Sequence, residues 1–223
     1  MKYQLTDIKN VKKASHRLKE TVRKTPFQYN ERLSQLTKTK LWLKREDLQE
    51  VRSFKIRGAY NKISSLNNNE RNKGVVCSSA GNHAQGVAKS CNLLKIKGVI
   101  FMPTITPRQK IEQVNMFGGK YVKVILDGDT YDDAYEAAKK YCNKNNKTFI
   151  HPFDDESVIE GQATLALEIL EQANEKIDAI IVPVGGGGLI SGVLSVFKQL
   201  SPETKIIGVE PEGAPSMSKS LTN

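Results

Sequence analysis

No apolar run in this 223-residue chain approaches the roughly 18 residues that a membrane-spanning helix needs, so no membrane association is expected. The first residues, Met1 to Ile8, lack the apolar core of a secretory signal. Cysteine is scarce. Cys77, Cys91 and Cys142 are odd in number and form no C-x-x-C pair, which argues against a disulfide framework and suits reduced thiols in a cytoplasm. His16, His83 and His151 show no metal-ligand spacing with them, so structural roles are expected for all six, with His83 the one to watch. There is one tryptophan, and no basic run is interleaved with aromatics. The formal net charge of +10 comes from lysines spread along the whole chain, often beside asparagines as in Asn143 to Lys147. That pattern reads as a solvated surface, and no nucleic-acid partner is expected.

Two phosphate-binding signatures are also missing. The glycine run Gly185-Gly186-Gly187-Gly188 is followed by Leu189 and Ile190, so it lacks the lysine of a Walker loop. It also fails the dinucleotide pattern G-x-G-x-x-G, because the last position falls on Ile190 or Ser191. What is present is an apolar strand (Ile177 to Val182), four side-chain-free residues and an apolar helix start (Leu189 to Phe197). Backbone N–H groups there can close on a phosphate, with the helix dipole adding positive charge. The run therefore suggests a small monophosphate ligand; the alternative is a tight turn that binds nothing.

Two further segments carry chemistry. Lys55 follows Ser53 and Phe54 near the start of a predicted helix, Ser53 to Leu66, where the positive end of the dipole disfavours an ammonium. A neutral amine can attack a carbonyl, although a lone lysine in a charged segment is ordinarily solvated. Ser78-Ser79-Ala80-Gly81-Asn82-His83 is a small-residue loop between a predicted strand (Gly74 to Cys77) and helix (Ala84 to Leu94). Its N–H groups and hydroxyls suit a carboxylate; an ordinary turn with a left-handed Asn82 is the alternative. Short apolar runs alternate with helical stretches along the rest of the chain, which predicts an α/β fold. The polar stretch Asn143 to Lys147 is a candidate domain crossing.

Together, Ser53-Phe54-Lys55-Ile56-Arg57-Gly58-Ala59, Ser79-Ala80-Gly81-Asn82-His83-Ala84-Gln85-Gly86 and Gly185 to Leu189 resemble the serine/threonine dehydratase group of fold type II pyridoxal-phosphate enzymes, and within it the biosynthetic threonine dehydratases. The resemblance implies a two-domain architecture like that of the tryptophan synthase β-subunit, with mostly parallel open sheets. Residues 1–45 and 148–223 would form a larger, incomplete cofactor-binding domain. Residues 46–147 would form a smaller one carrying Lys55 and the Ser-Ala-Gly-Asn loop. Lys55 would hold pyridoxal 5'-phosphate as a Schiff base and act as the base at the substrate α-carbon. Phe54 would lie against the pyridine ring and Asn82 would bond its phenolic oxygen. Gly185, Gly186, Gly187, Gly188 and Leu189 would bind the phosphate. Ser79, Ala80, Gly81, Asn82 and His83 would surround the substrate carboxylate. Glu210 and Ala214 resemble positions that bind a monovalent or divalent cation in some relatives.

The implied reaction converts L-threonine to 2-oxobutanoate and ammonia by α-proton abstraction and loss of the β-hydroxyl, a step of isoleucine biosynthesis. A serine dehydratase or racemase of the same fold, and an inactive remnant that binds an anion, are the alternatives. Relatives imply a homo-oligomer, a dimer or tetramer. The group's catalytic domain runs well past Asn223 and includes a serine for the pyridine nitrogen; Ser216, Ser218 and Ser220 are not substitutes for it. A C-terminally truncated product with bare apolar faces is therefore expected.

Overall fold

Asp7 starts the first helix, its carboxylate accepting from the Lys9 N–H at 2.8 Å. The chain is seen here as a computed structural model that describes residues 5–222. Residues 1–4 and 223 of the expected larger domain lie outside the described residues. Helix α1 (Ile8–Leu18) is followed by strand β1 (Phe27–Tyr29), helix α2 (Glu31–Thr37), strand β2 (Trp42–Lys44) and helix α3 (Lys55–Ser64). Helix α4 (Asn68–Lys73) leads into β3 (Val75–Ser78), α5 (Asn82–Leu94), β4 (Gly98–Met102), α6 (Arg108–Gly118) and β5 (Val122–Leu126). Then come α7 (Tyr131–Lys144), β6 (Thr148–Phe149), α8 (Glu156–Gln172), β7 (Ala179–Pro183), α9 (Gly188–Leu200), β8 (Lys205–Val209) and α10 (Ser216–Thr222).

The central sheet has the order β5-β4-β3-β6, and every pairing in it is parallel. Strands β3 and β4 are buried along their whole length, as parallel strands covered on both faces must be. Val75, Cys77, Ile100 and Met102 pack with Val87, Ala88 and Cys91 of α5 on one face. Val76, Val99 and Phe101 pack with Ala138 and Cys142 of α7 on the other. This is the α/β architecture with a parallel sheet that the alternating pattern predicts. Strand β6 pairs with β3 through Val75↔Thr148 and Val76↔Phe149, so residues 148–149 join this sheet just past the boundary read from the sequence.

A second core joins Val11 of α1, Ala163, Ala166 and Ile169 of α8, Val182 of β7, and Val193, Val196 and Phe197 of α9. Strands β7 and β8 form a separate parallel pair. Helix α9 covers one face of it, while Ile181, Ile207 and Val209 on the other are 66%, 43% and 50% exposed. Helix α3 lies between the two cores, against α5 and α8. Its approach to α8 is close: a Cβ added at Gly161 would sit 2.6 Å from the Arg57 carbonyl oxygen and the Gly58 Cα.

Strand β1 (paired Phe27↔Lys44 and Tyr29↔Trp42) and helix α10 were not expected from the sequence, and neither were helices α2 and α4. Helices α2 and α4 are short and largely polar, so hydrophobic periodicity is silent, and their caps carry the signal instead. Asn30 caps α2, and Asn67 with Glu70 forms a reciprocal capping box on α4. Among the described residues, no helix is long and apolar enough to cross a membrane.

Candidate active site

Lys55 is the first residue of α3, directly after Phe54, whose backbone is already helical. The lysine is half-buried. Its Nζ donates to the Pro152 carbonyl oxygen at 2.6 Å and lies 5.5 Å from the centre of the Phe54 ring. Among the described residues, no carboxylate pairs with it. Burial therefore lowers its pKa from 10.5 to about 8, a cause different from the helix dipole invoked from the sequence.

Helix α5 passes beside this residue: a Cβ at Gly86 would meet the Lys55 carbonyl oxygen at 3.0 Å. The loop before it leaves β3 through Ser79, whose N–H bonds the Phe101 carbonyl oxygen at 3.1 Å and whose Oγ accepts from the Gly81 N–H at 3.2 Å. Ala80 and Gly81 follow, half-buried. Asn82 opens α5 in a helical conformation with its side chain exposed, so the left-handed alternative does not hold. His83 is 3% exposed, and its Nε2–H donates to the Ile150 carbonyl oxygen at 2.9 Å. That bond leaves Nδ1 bare, with no partner among the described residues. Desolvation first, then the Lys55 charge, lowers the His83 pKa to about 3, so the ring is neutral.

The third motif lies at the end of β7. Gly187 has φ +89° and caps α9, which begins at Gly188 with no side-chain cap. The first N–H groups of that helix are therefore free for an anion. A Cβ at Gly185 would meet nothing within 4 Å, whereas one at Gly186 would lie 2.2 Å from the Phe153 ring. Gly188 likewise abuts the Phe153 backbone, and Leu189 packs into the second core. Gly186→Ala is thus expected to destabilise the fold by about 1–3 kcal/mol, read as a melting-temperature drop of about 2–4 °C per kcal/mol. An unchanged melting temperature would show that Phe153 is not held against the loop.

The three motifs converge on one segment, Ile150 to Phe153, for which the sequence suggested only a structural role at His151. Ile150 accepts from His83, Pro152 accepts from Lys55, and Phe153 lies under Gly186. No motif of its own marks this segment; its only sequence signal is its place directly after a strand of the central sheet. The Glu210 carboxylate accepts from the Met217 N–H at 2.7 Å and from the Ser218 N–H and hydroxyl at 2.9 and 2.8 Å, which anchors α10. The Ala214 carbonyl oxygen accepts from the Ser216 N–H at 3.0 Å. Among the described residues, no group of three or more His, Cys, Asp and Glu side chains gathers as a metal site.

A buried charge network holds α3 in place. Arg57, 1% exposed, donates to both Glu46 oxygens at 2.8 Å and to both Glu168 oxygens at 2.7 and 2.9 Å. Lys44 donates to Glu168 at 2.6 Å, to Gln172 at 2.8 Å and to the Thr25 carbonyl oxygen at 2.7 Å. Burial alone would raise the Glu46 pKa, but the Arg57 guanidinium outweighs it and holds the carboxyl below its ordinary value.

A weakly basic buried amine, an open glycine cradle at a helix start and a small-residue loop at another define an α/β protein built to hold a phosphorylated carbonyl compound. Among the described residues, Ser53 Oγ, Ser78 Oγ, His83 Nδ1 and Thr106 Oγ1 are buried with no hydrogen-bond partner. Residues 18–223 match the family model described as pyridoxal-phosphate dependent enzyme, and the chain belongs to that family, whose cofactor is pyridoxal phosphate. It is 55% identical over 214 residues to the biosynthetic L-threonine dehydratase of Halalkalibacterium halodurans, covering 96% of this chain and 52% of that protein. Identity to the Bacillus subtilis biosynthetic L-threonine dehydratase is 52% over 212 residues, covering 95% of this chain and 50% of that one. The chain spans about half the length of these curated relatives. Among solved structures, the processed form of threonine deaminase isoform 2 from Solanum lycopersicum matches with a TM-score of 0.89 at 44% identity, over 98% of this chain and 65% of that one. Maize serine racemase matches with a TM-score of 0.92 at 36% identity, over 99% and 66%.

Proposed function

We propose that this chain carries out, or forms the lysine-bearing part of a protein that carries out, the deamination of L-threonine to 2-oxobutanoate and ammonia. The observation that carries the reading is the half-buried Lys55 amine, which has no carboxylate partner among the described residues and donates to Pro152, next to the Phe153 that lies against the glycine cradle. Identity above 50% to proteins named biosynthetic L-threonine dehydratase supports threonine as the substrate. Bound pyridoxal phosphate supplies an electron sink for the substrate α-carbon.

The chain's own residues do the rest. N–H groups of Gly185 to Leu189 hold the phosphate, Phe54 faces the ring and Asn82 donates to its phenolic oxygen. Ser79, Ala80, Gly81, Asn82 and His83 orient the substrate carboxylate, with donors fixed in advance by the loop-to-helix turn. Lys55 tethers the cofactor and then, as a free amine, takes the α-proton at Nζ; a pKa near neutrality suits both tasks. The two-domain division belongs to the same proposal, with residues 46–147 as the smaller domain and residues 1–45 and 148–223 in the larger.

The test is direct. Purified protein supplied with pyridoxal phosphate is expected to develop visible absorbance and to release 2-oxobutanoate from L-threonine. Absence of both in this chain and in a version extended to the length of its relatives would defeat the reading. A second reading, serine dehydration or racemisation, is favoured by the fit to maize serine racemase. Faster turnover of L-serine or D-serine than of L-threonine would select it. One methyl group supplies only about 1–3 kcal/mol of discrimination, so the rates must be compared side by side.

A further inference from the structure

The Ile150 N–H still donates to the Val76 carbonyl oxygen at 2.8 Å, and residues 151–155 then run without ladder hydrogen bonds until Asp155 caps α8. Irregular backbone at the heart of a site needs some other restraint. His151 supplies it. Its Nδ1 accepts from the Asp154 N–H at 2.7 Å and, more weakly, from the Phe153 N–H at 3.4 Å. The ring also stands edge-on to Phe153, with centroids 4.7 Å apart and planes at 84°. One imidazole thus closes the turn that aims the Pro152 carbonyl at Lys55 and presses Phe153 under Gly186.

We propose that His151 is a positioning residue for Lys55 and the phosphate cradle, acting through the turn its Nδ1 lone pair closes. The proposal rests on the reading of Lys55 as the amine that carries the cofactor. Nδ1 accepts only while the proton sits on Nε2 and the ring is neutral. The surroundings keep it so: burial and the charges of Lys139 and Lys55 lower its pKa below 6.5, against the opposing pull of Asp154 and Asp155. Tyr135 and Phe149 complete its enclosure with their rings.

Two substitutions separate the lone pair from mere bulk. His151→Leu fills the space and offers no acceptor. His151→Asn keeps an acceptor that can bond backbone N–H groups two and three residues ahead. His151→Leu is expected to weaken pyridoxal-phosphate binding by about tenfold, the scale of one buried donor left unmade. It should also abolish exchange protection at the Asp154 amide and slow amine-selective labelling of Lys55 at pH 8, as water returns to the ammonium. His151→Asn should stay within about threefold of wild type in binding.

Wild-type binding and Asp154 protection in His151→Leu would overturn the proposal, as would His151→Asn impaired as deeply as leucine. Should His151→Leu fail to fold, His151→Asn and the wild type decide: Asp154 protection must be kept in the asparagine variant. In the wild type it must fall as acid protonates the ring, at a pH below the ordinary histidine value, and protection unchanged by acid would refute the role. Amide exchange and Lys55 labelling need no cofactor. A protein that binds no pyridoxal phosphate even at the full length of its relatives, but shows the protected amide, therefore defeats the proposed function, while a wild type with an unprotected amide defeats this inference.

Discussion

Arg57→Met should cost about 3–5 kcal/mol of folding stability, the largest effect expected of any single substitution away from the site chemistry. Methionine matches the aliphatic stem and removes the guanidinium. Glu168 retains Lys44 as a partner, but Glu46 is left nearly buried with only Thr25 (2.5 Å) and Gln49 (3.2 Å) as donors. The pH dependence distinguishes this cause from simple loss of packing. In the wild type the Glu46 pKa is depressed, so its contribution is present above the ordinary carboxylate pKa and fades as pH falls through the folded value. Without Arg57, burial raises that pKa instead. The folded state then binds a proton more readily than the unfolded one, and the penalty shrinks on acidification. Urea unfolding at pH 7 and near pH 4.5 measures both. A loss below about 1 kcal/mol at neutral pH, or a penalty that grows in acid, would show that the network is not the restraint described.

Lys55→Met should abolish 2-oxobutanoate formation while making the cofactor-free protein more stable. The rate loss is expected to reach at least about 10³-fold, since one side chain is assigned both the tether and the base. The gain in stability follows from the same burial that tunes the amine. A folded pKa near 8 against an ordinary value of 10.5 means that folding disfavours the ammonium at neutral pH. Removing it should raise stability at pH 7 by on the order of 2 kcal/mol, allowing for partial exposure. The difference should narrow between pH 8 and 10.5, where wild-type Lys55 loses its proton in the folded state before the unfolded one. Equal stability of the two proteins at pH 7 would mean that Lys55 is solvated, and retained product formation would move the chemistry to another group.

The sheet strands were legible because burial on both faces writes an unbroken apolar run, as in Val75 to Cys77 and Val99 to Met102. The three motifs were legible because small residues at a strand-to-helix junction have few other uses. What the chain order concealed was their meeting point. Pro152 contributes a backbone carbonyl, and Phe153 contributes bulk against a glycine; neither role selects a residue type strongly enough to read. The Arg57 network was hidden for another reason. Its charges sit in a segment, Lys44 to Arg57, whose composition looks solvated, and only the fold reveals that Glu168 of α8 closes it from above. Helices α2 and α4 escaped because their stability comes from caps and not from an apolar face.

The hydrogen bond from Lys55 to Pro152 joins groups 97 residues apart in the chain, and the one from His83 to Ile150 spans 67. Closing loops of that length is entropically slow and is repaid only once the intervening strands have been laid down. Nothing local to Lys55 makes its amine acidic. In any nascent or partly refolded chain it is an ordinary lysine, mostly charged and correspondingly slower toward carbonyls. The lowered basicity at this position therefore arrives only as folding completes, once its most distant contacts have been made.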